Sequence, residues 1–160
     1  MEFGGHYILA APRDAVWAAL NDASVLQTAI PGCRRIAWVG EASLEAEIAV
    51  NFGVAHPVFG GDLELTNVVP AQSYTLTGRG RGGLFGMAHA SADIVLSDRG
   101  TDTELGFIAA GKASGRLMKL GRAVLGGRAQ AVIDGFFERF AAAMGTEIRV
   151  IENVPDRSPS

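Results

Sequence analysis

The stretch of sequence that decides the fold reads 73-SYTLTGRGR-81, 88-AHASADIVL-96 and 103-TELGFIAAGKA-113. In each segment every second residue is apolar or small, which is the period of a β-strand that buries one face. Glycine-rich or polar clusters separate the segments, as expected for the turns of an antiparallel meander. The same period of two extends back along the chain, and we predict about six strands between Arg34 and Ala113.

The segments on either side of this run complete the order of elements. Residues 2–10 alternate as a half-buried strand, and Pro12 suits the first turn of a short helix. A second short helix over 24–29 ends before Pro31, because the residue that precedes a proline is pushed out of the helical region. Helical spacing returns over 116–144, a span of about 43 Å if the helix is unbroken.

This order predicts an α+β fold in which a curved antiparallel sheet of about seven strands wraps around a long C-terminal helix, with two short helices after the first strand. Gly126 and Gly127 weaken the interior of the long helix, and either a kink near them or a close contact with another part of the molecule would account for their presence. We expect one domain over residues 1–146. A C-terminal tail, 147–160, is expected to be partly disordered, above all over 155–160.

Composition excludes several classes of protein. A single cysteine, Cys33, rules out an internal disulfide and a thiolate-rich metal site. The N-terminus does not resemble a secretory signal, and no apolar run reaches the roughly 18 residues of a membrane span. The net charge is −3 and no basic-aromatic pattern is present, so nucleic acid is a poor candidate partner. We expect a cytoplasmic protein.

The predicted inward residues of the last three strands change size along the sheet. They are bulky near the 98–102 turn and small near the 82–86 turn, where the long helix begins. A sheet that loses its inward side chains at one end leaves space under the helix, which predicts an apolar pocket. The alternative is that the helix approaches the sheet closely and leaves no void. The predicted ligand-binding residues are Tyr7, Phe59, Tyr74, Gly78, Gly80, Ala88, Ala90, Phe107, Ala109, Gly111, Leu117, Leu120 and Val124.

The hairpin at this end carries Leu84 and Phe85 at its tip, where polar residues are usual. No acidic residue occurs between Leu105 and Ile133, although five basic residues do. An apolar tip surrounded by cations is typical of a membrane or partner contact. The alternative is that Phe85 folds back into the core. The predicted contact residues are Leu84, Phe85, Arg79, Arg81, Lys112, Arg116 and Lys119.

The sequence carries no recognisable catalytic or metal-binding pattern. The three histidines lack the short spacing of metal ligands, and Cys33 has no histidine nearby in sequence. The glycines of 78–86 join two strands and are not followed by Lys-Ser or Lys-Thr, so they do not form a phosphate loop. The sequence predicts no catalytic residue, no metal site and no tightly bound cofactor.

Four segments resemble a known family: 11-APRDAVWAALND-22, 30-IPGC-33, 74-YTLTGRGRGG-83 and 136-FFERF-140. They are similar to the family of the carbon monoxide dehydrogenase G subunit, within the START-like and polyketide-cyclase-like superfamily. The resemblance implies a helix-grip fold and an accessory role. Members of that family are thought to recruit molybdenum-containing carbon monoxide dehydrogenases to the cytoplasmic membrane and to connect them with respiratory quinone.

Our leading hypothesis is therefore a non-catalytic protein that binds a hydrophobic ligand, a respiratory quinone or a lipid. It would couple a carbon monoxide dehydrogenase-type molybdenum enzyme to the inner face of the cytoplasmic membrane as a peripheral protein. One alternative is a small cyclase- or hydrolase-like enzyme of the same superfamily. Another is a protein–protein adaptor without a ligand.

Overall fold

The computed structural model of the chain describes residues 1–53 and 55–154. Eight strands and three α-helices are present in this part of the chain, in the order that follows. They are β1 (Glu2–Leu9), α1 (Arg13–Leu20), α2 (Ala23–Ala29), β2 (Cys33–Trp38), β3 (Ser43–Ala49), β4 (Val58–Val69), β5 (Ser73–Arg81), β6 (Met87–Arg99), β7 (Asp102–Ala113), α3 (Arg122–Met144) and β8 (Ile148–Val154). Short 3₁₀ turns occupy Gly83–Phe85 and Gly115–Leu120.

All eight strands belong to one antiparallel sheet with the order β2-β3-β4-β5-β6-β7-β1-β8. The meander from β2 to β7 joins neighbours in sequence, as the period of two predicts. β1 then pairs with β7, which brings the N-terminal strand beside the last strand of the meander. The predicted α+β architecture with a long C-terminal helix is confirmed.

The core lies between the inner face of this sheet and the helices. Leu9, Val16 and Phe140 are completely buried, and Leu105 is 1% exposed. Asp22 caps the start of α2, and its carboxylate accepts hydrogen bonds from the backbone N–H groups of Ser24 and Val25. Such a cap satisfies donors that the first helical turn leaves without partners. The short helices thereby close one end of the sheet, and α3 lies across its inner face.

The long helix differs from the sequence prediction at its start. Residues 115–120 form a 3₁₀ turn, and α3 begins only at Arg122, which makes it about 35 Å long. Gly121 has a φ of +85°, a left-handed conformation that other residues rarely adopt and that separates the two segments. The break therefore occurs at Gly121, and α3 continues as one helix through Gly126 and Gly127, where the sequence left a kink and a close contact as alternatives.

Part of the C-terminal tail, 147–160, is ordered. Residues Ile148–Val154 form β8, which pairs with β1 at the edge of the sheet, so the ordered structure extends beyond residue 146. Gly145, at a φ of +67°, turns the chain after α3, and the Ala10 N–H then donates to the Glu147 carbonyl at 3.0 Å. Residues 155–160, for which we expect disorder, lie outside the described part of the chain.

Candidate functional site

The register of the sheet brings the small residues together. Gly78 lies beside Ala90, and Ala90 lies beside Gly111. One pair further along, Gly80 lies beside Ala88. We call this region the small-residue end of the sheet. Its existence follows from the antiparallel pairing of β5, β6 and β7, as the alternation predicts.

Burial along the inner face changes at this end. Ile94, Leu96, Leu105 and Phe107 are all buried, whereas Ala90, on the same face of β6, is exposed to solvent. Ala88, Ala109 and Gly111 are only partly buried. An inward residue in the middle of an eight-stranded sheet is exposed only if nothing packs over it. The inner face is therefore open around Ala90.

The residues of α3 are buried at only one end of the helix. The fully buried residues of α3 are Phe137, Phe140 and Ala141, all in its C-terminal half. Val124, near the start of the helix, is 42% exposed, although the sequence pattern places it toward the pocket. The C-terminal half of α3 closes the core, Ala129 and Ile133 pack against the edge of the core, and the first residues of the helix are more exposed.

The glycines of β5 are covered by residues of β4. A Cβ atom on Gly80 would lie 3.6 Å from the ring of Phe59, and one on Gly78 would lie 2.9 Å from a methyl group of Leu63. Phe59 is 8% exposed, so its ring is packed in this place. The exposed part of the inner face is thus narrower than the predicted pocket. It lies on β6 and β7 and leaves out the glycines of β5. Nothing in the sequence pattern shows that neighbouring side chains would lean over the glycines.

An aromatic cluster limits the open region at its packed end. Tyr7 stacks on Phe137 with the ring centroids 4.1 Å apart, and Phe107 lies 5.5 Å from Phe137. Phe136 contacts both Phe137 and Phe140. Offset and edge-to-face aromatic pairs of this kind add to the stability that their buried area provides.

Tyr7 carries a buried hydroxyl group within this cluster. The residue is 2% exposed, and its hydroxyl oxygen has no hydrogen-bond partner among the described residues. Burial, and secondarily the charge of Asp134, raises the pKa of Tyr7 to about 12. The phenol is consequently protonated at neutral pH and carries one unused donor proton.

The second predicted tyrosine lies elsewhere. Tyr74 is 7% exposed and contacts Trp17 of α1 edge to face, with the ring centroids 5.4 Å apart. Burial raises the pKa of Tyr74 to about 12 as well. Its neighbours place it in the packed part of the core beside α1. Leu117 is 2% exposed in the 3₁₀ turn, and Leu120 is partly buried.

The hairpin tip, Gly82–Met87, presents an apolar residue to solvent. Leu84 is 78% exposed, whereas Phe85 is partly buried. The tip is held by a close backbone approach, because a Cβ atom on Gly86 would lie 2.1 Å from the Ser114 carbonyl oxygen. Met118, in the neighbouring 3₁₀ turn, is 64% exposed. The hairpin and this turn together form an apolar protrusion.

The predicted cationic residues around this protrusion are exposed. Arg79, Arg81, Lys112, Arg116 and Lys119 all reach solvent. Arg81 donates a hydrogen bond to Asp62, and this contact lowers the pKa of that carboxyl group. One of the five predicted cations is therefore partly neutralised by a carboxylate of the neighbouring strand.

A concavity of about 820 Å³ lies on the outer face of the sheet. Most of its lining residues point away from α3, such as Glu64, Thr77, Ser91 and Ala110, and Gly78, Ala90 and Gly111 of the small-residue end also line it. None of the described residues that line it belongs to α3. The small-residue end thus lies between the inner face of the sheet and this outer groove.

No group of three or more potential metal ligands clusters within the described part of the chain. No helix in 1–53 and 55–154 has the length and hydropathy needed to cross a membrane.

Comparison with solved structures shows the fold. A conserved protein from Geobacillus kaustophilus is 24% identical, with a TM-score of 0.84 over 93% of this chain and 99% of that chain. Protein CV1439 from Chromobacterium violaceum is 15% identical, with a TM-score of 0.71 over 89% of this chain and 96% of that one. The Zhui aromatase/cyclase from Streptomyces sp. R1128 is 14% identical, with a TM-score of 0.63 over 91% and 93%.

The structure accordingly has a helix-grip, START-like fold. A search of curated proteins found no match. At the level of families, that of the carbon monoxide dehydrogenase G subunit (CoxG) matches residues 5–145. Because this match covers most of the chain, from the first strand to the end of α3, the chain belongs to the CoxG family.

Proposed function

We propose that this chain is a non-catalytic accessory protein that binds a hydrophobic ligand between α3 and the small-residue end of the sheet. The ligand would be a respiratory quinone or a lipid. In this role the protein couples a carbon monoxide dehydrogenase-type molybdenum enzyme to the inner face of the cytoplasmic membrane, to which it binds peripherally. Family membership supports the accessory role.

The observation that carries the ligand proposal is the exposure of Ala90. This residue faces the same side of the sheet as the buried residues Ile94 and Leu96, yet it is exposed to solvent. The facing half of α3 also lacks a fully buried residue. Apolar walls with space between them are typical of sites for apolar small molecules.

Native mass spectrometry tests the ligand proposal. The protein, purified from its own cells without detergent, is expected to carry a bound apolar molecule or to take one up from a lipid and quinone extract. Extraction and identification of that molecule would distinguish a quinone from a lipid. A protein that carries no such molecule and takes up none would contradict the proposal, and a chemically altered product would favour the enzyme alternative.

The exposed hairpin tip supports the membrane part of the proposal. Leu84 would insert into the interface, while nearby cations approach anionic headgroups. We expect Leu84→Ser to weaken binding to vesicles of phosphatidylglycerol and phosphatidylcholine by about tenfold, since it removes most of the free energy of burying one leucine side chain. Flotation of the protein with the vesicles measures this.

Ile108→Ser is the matched control, because Ile108 is 72% exposed and lies on the outer face of β7, away from the tip. It is expected to leave vesicle binding unchanged. Equal losses in the two variants would indicate nonspecific adsorption, and an unchanged Leu84→Ser variant would remove the hairpin from the proposal.

A further inference from the structure

The buried hydroxyl of Tyr7 has no role in the packing of the empty protein. Its oxygen is inaccessible to solvent and is unpaired among the described residues, while the ring itself packs against Phe137 and Phe107. Buried polar groups without a partner are rare in native proteins, because burial removes their hydrogen bonds to water. A phenylalanine would make the same ring contacts without that cost.

The Tyr7 hydroxyl lies near the middle of α3. Tyr7 contacts Phe137, the residue at which the buried half of α3 begins. Asp134 is one helical turn nearer the open half, and its charge acts on the phenol. The hydroxyl therefore lies in the core beside the turn of α3 at which its buried C-terminal residues follow its more exposed N-terminal ones.

We infer that the Tyr7 hydroxyl donates a hydrogen bond to an oxygen atom of the bound ligand, which makes the ligand an apolar molecule with an accepting oxygen. This inference rests on the proposed ligand-binding function. The hydroxyl would distinguish such a molecule from a plain hydrocarbon of the same shape.

The hydroxyl is covered when the site is empty, so the ligand must displace a neighbour to reach it. The open half of α3 is the element most easily displaced, since its residues before Phe137 are exposed or only partly buried. Segments with few buried contacts open at the lowest free energy. Ligand entry would accordingly move this half of the helix away from the sheet.

The test compares two probes of the same shape, 2,3-dimethyl-1,4-naphthoquinone and 2,3-dimethylnaphthalene. Both ring positions that react with thiols are blocked in the quinone, so Cys33 is not modified. The wild-type protein is expected to bind the quinone about three to ten times more tightly than the hydrocarbon, which is the net effect of one hydrogen bond. Tyr7→Phe is expected to abolish this preference while it retains affinity for the hydrocarbon.

Tyr74→Phe is the matched variant, because it removes the other tyrosine hydroxyl from the core beside Trp17. It is expected to preserve the ratio of the two affinities. Thermal unfolding of the empty Tyr7→Phe protein shows whether it folds, and we expect it to be at least as stable as the wild type.

The outcomes of this test distinguish a failure of the inference about Tyr7 from a failure of the proposed ligand-binding function. If both probes bind equally well to the wild type, or if Tyr7→Phe keeps the preference for the quinone, the inference is wrong and the ligand-binding function stands. If neither probe binds to the wild type, the inference is wrong, and native mass spectrometry of the purified protein decides separately whether the ligand-binding function stands.

Discussion

We expect Ala90→Phe to weaken ligand binding by at least about tenfold while the protein stays folded. Ala90 lies on the inner face with its side chain exposed, next to Gly78 and Gly111. A phenylalanine ring there would occupy the space that the proposal assigns to the ligand, so the two would compete for one volume. The change in stability should be within about 1 kcal/mol, because no packed neighbour has to move.

Ala110→Phe is the control for this prediction. Ala110 is also exposed and lies on the neighbouring strand β7, but it points to the outer face and lines the outer groove. Isothermal titration calorimetry of both variants with 2,3-dimethylnaphthalene measures the effect on affinity. A loss of binding in Ala110→Phe with none in Ala90→Phe would place the ligand in the outer groove and contradict the proposed site.

The largest effect on stability is expected from Phe140→Ala. Phe140 is completely buried, and its ring stacks on Phe136 with the centroids 5.5 Å apart. Truncation of a buried phenylalanine removes its transfer free energy and leaves a cavity, which together cost about 3–5 kcal/mol. Unfolding in guanidinium chloride, followed by the fluorescence of Trp17 and Trp38, measures the loss.

Val124→Ala, near the other end of the same helix, provides the comparison. Val124 is 42% exposed, so its truncation should change the free energy of unfolding by no more than about 0.5 kcal/mol. This contrast follows from the open space under the first half of α3. Equal losses in the two variants would show that this half of the helix is packed as tightly as the other, which would leave no room for a ligand.

Much of the fold could be predicted because its signals are local. The period of two in residues 73–113 predicts strands whatever their neighbours are, and short turns between such strands allow only antiparallel pairing. The register that places Gly78, Ala90 and Gly111 side by side follows directly from those two features. The size gradient along the inner face is therefore a property of the sequence and does not depend on any particular tertiary contact.

The strand β8 could not be predicted in the same way. Residues 148–151, Ile-Arg-Val-Ile, mix apolar and charged positions without a clear alternation. The strand forms because Gly145 turns the chain and because the edge of β1 offers unpaired backbone groups. Both conditions depend on where the end of α3 lies relative to β1, which is a property of the folded chain.

For the proposed pocket, the sequence and the tertiary structure each determine a different property. Alternation and residue size determined that one end of the sheet would lack bulky inward side chains. Only the tertiary structure decided which part of that end is open, since Phe59 and Leu63 of β4 lean over Gly80 and Gly78 and leave Ala90 exposed. The physical reason is that periodicity fixes the direction of a side chain, whereas the filling of space depends on residues distant in sequence.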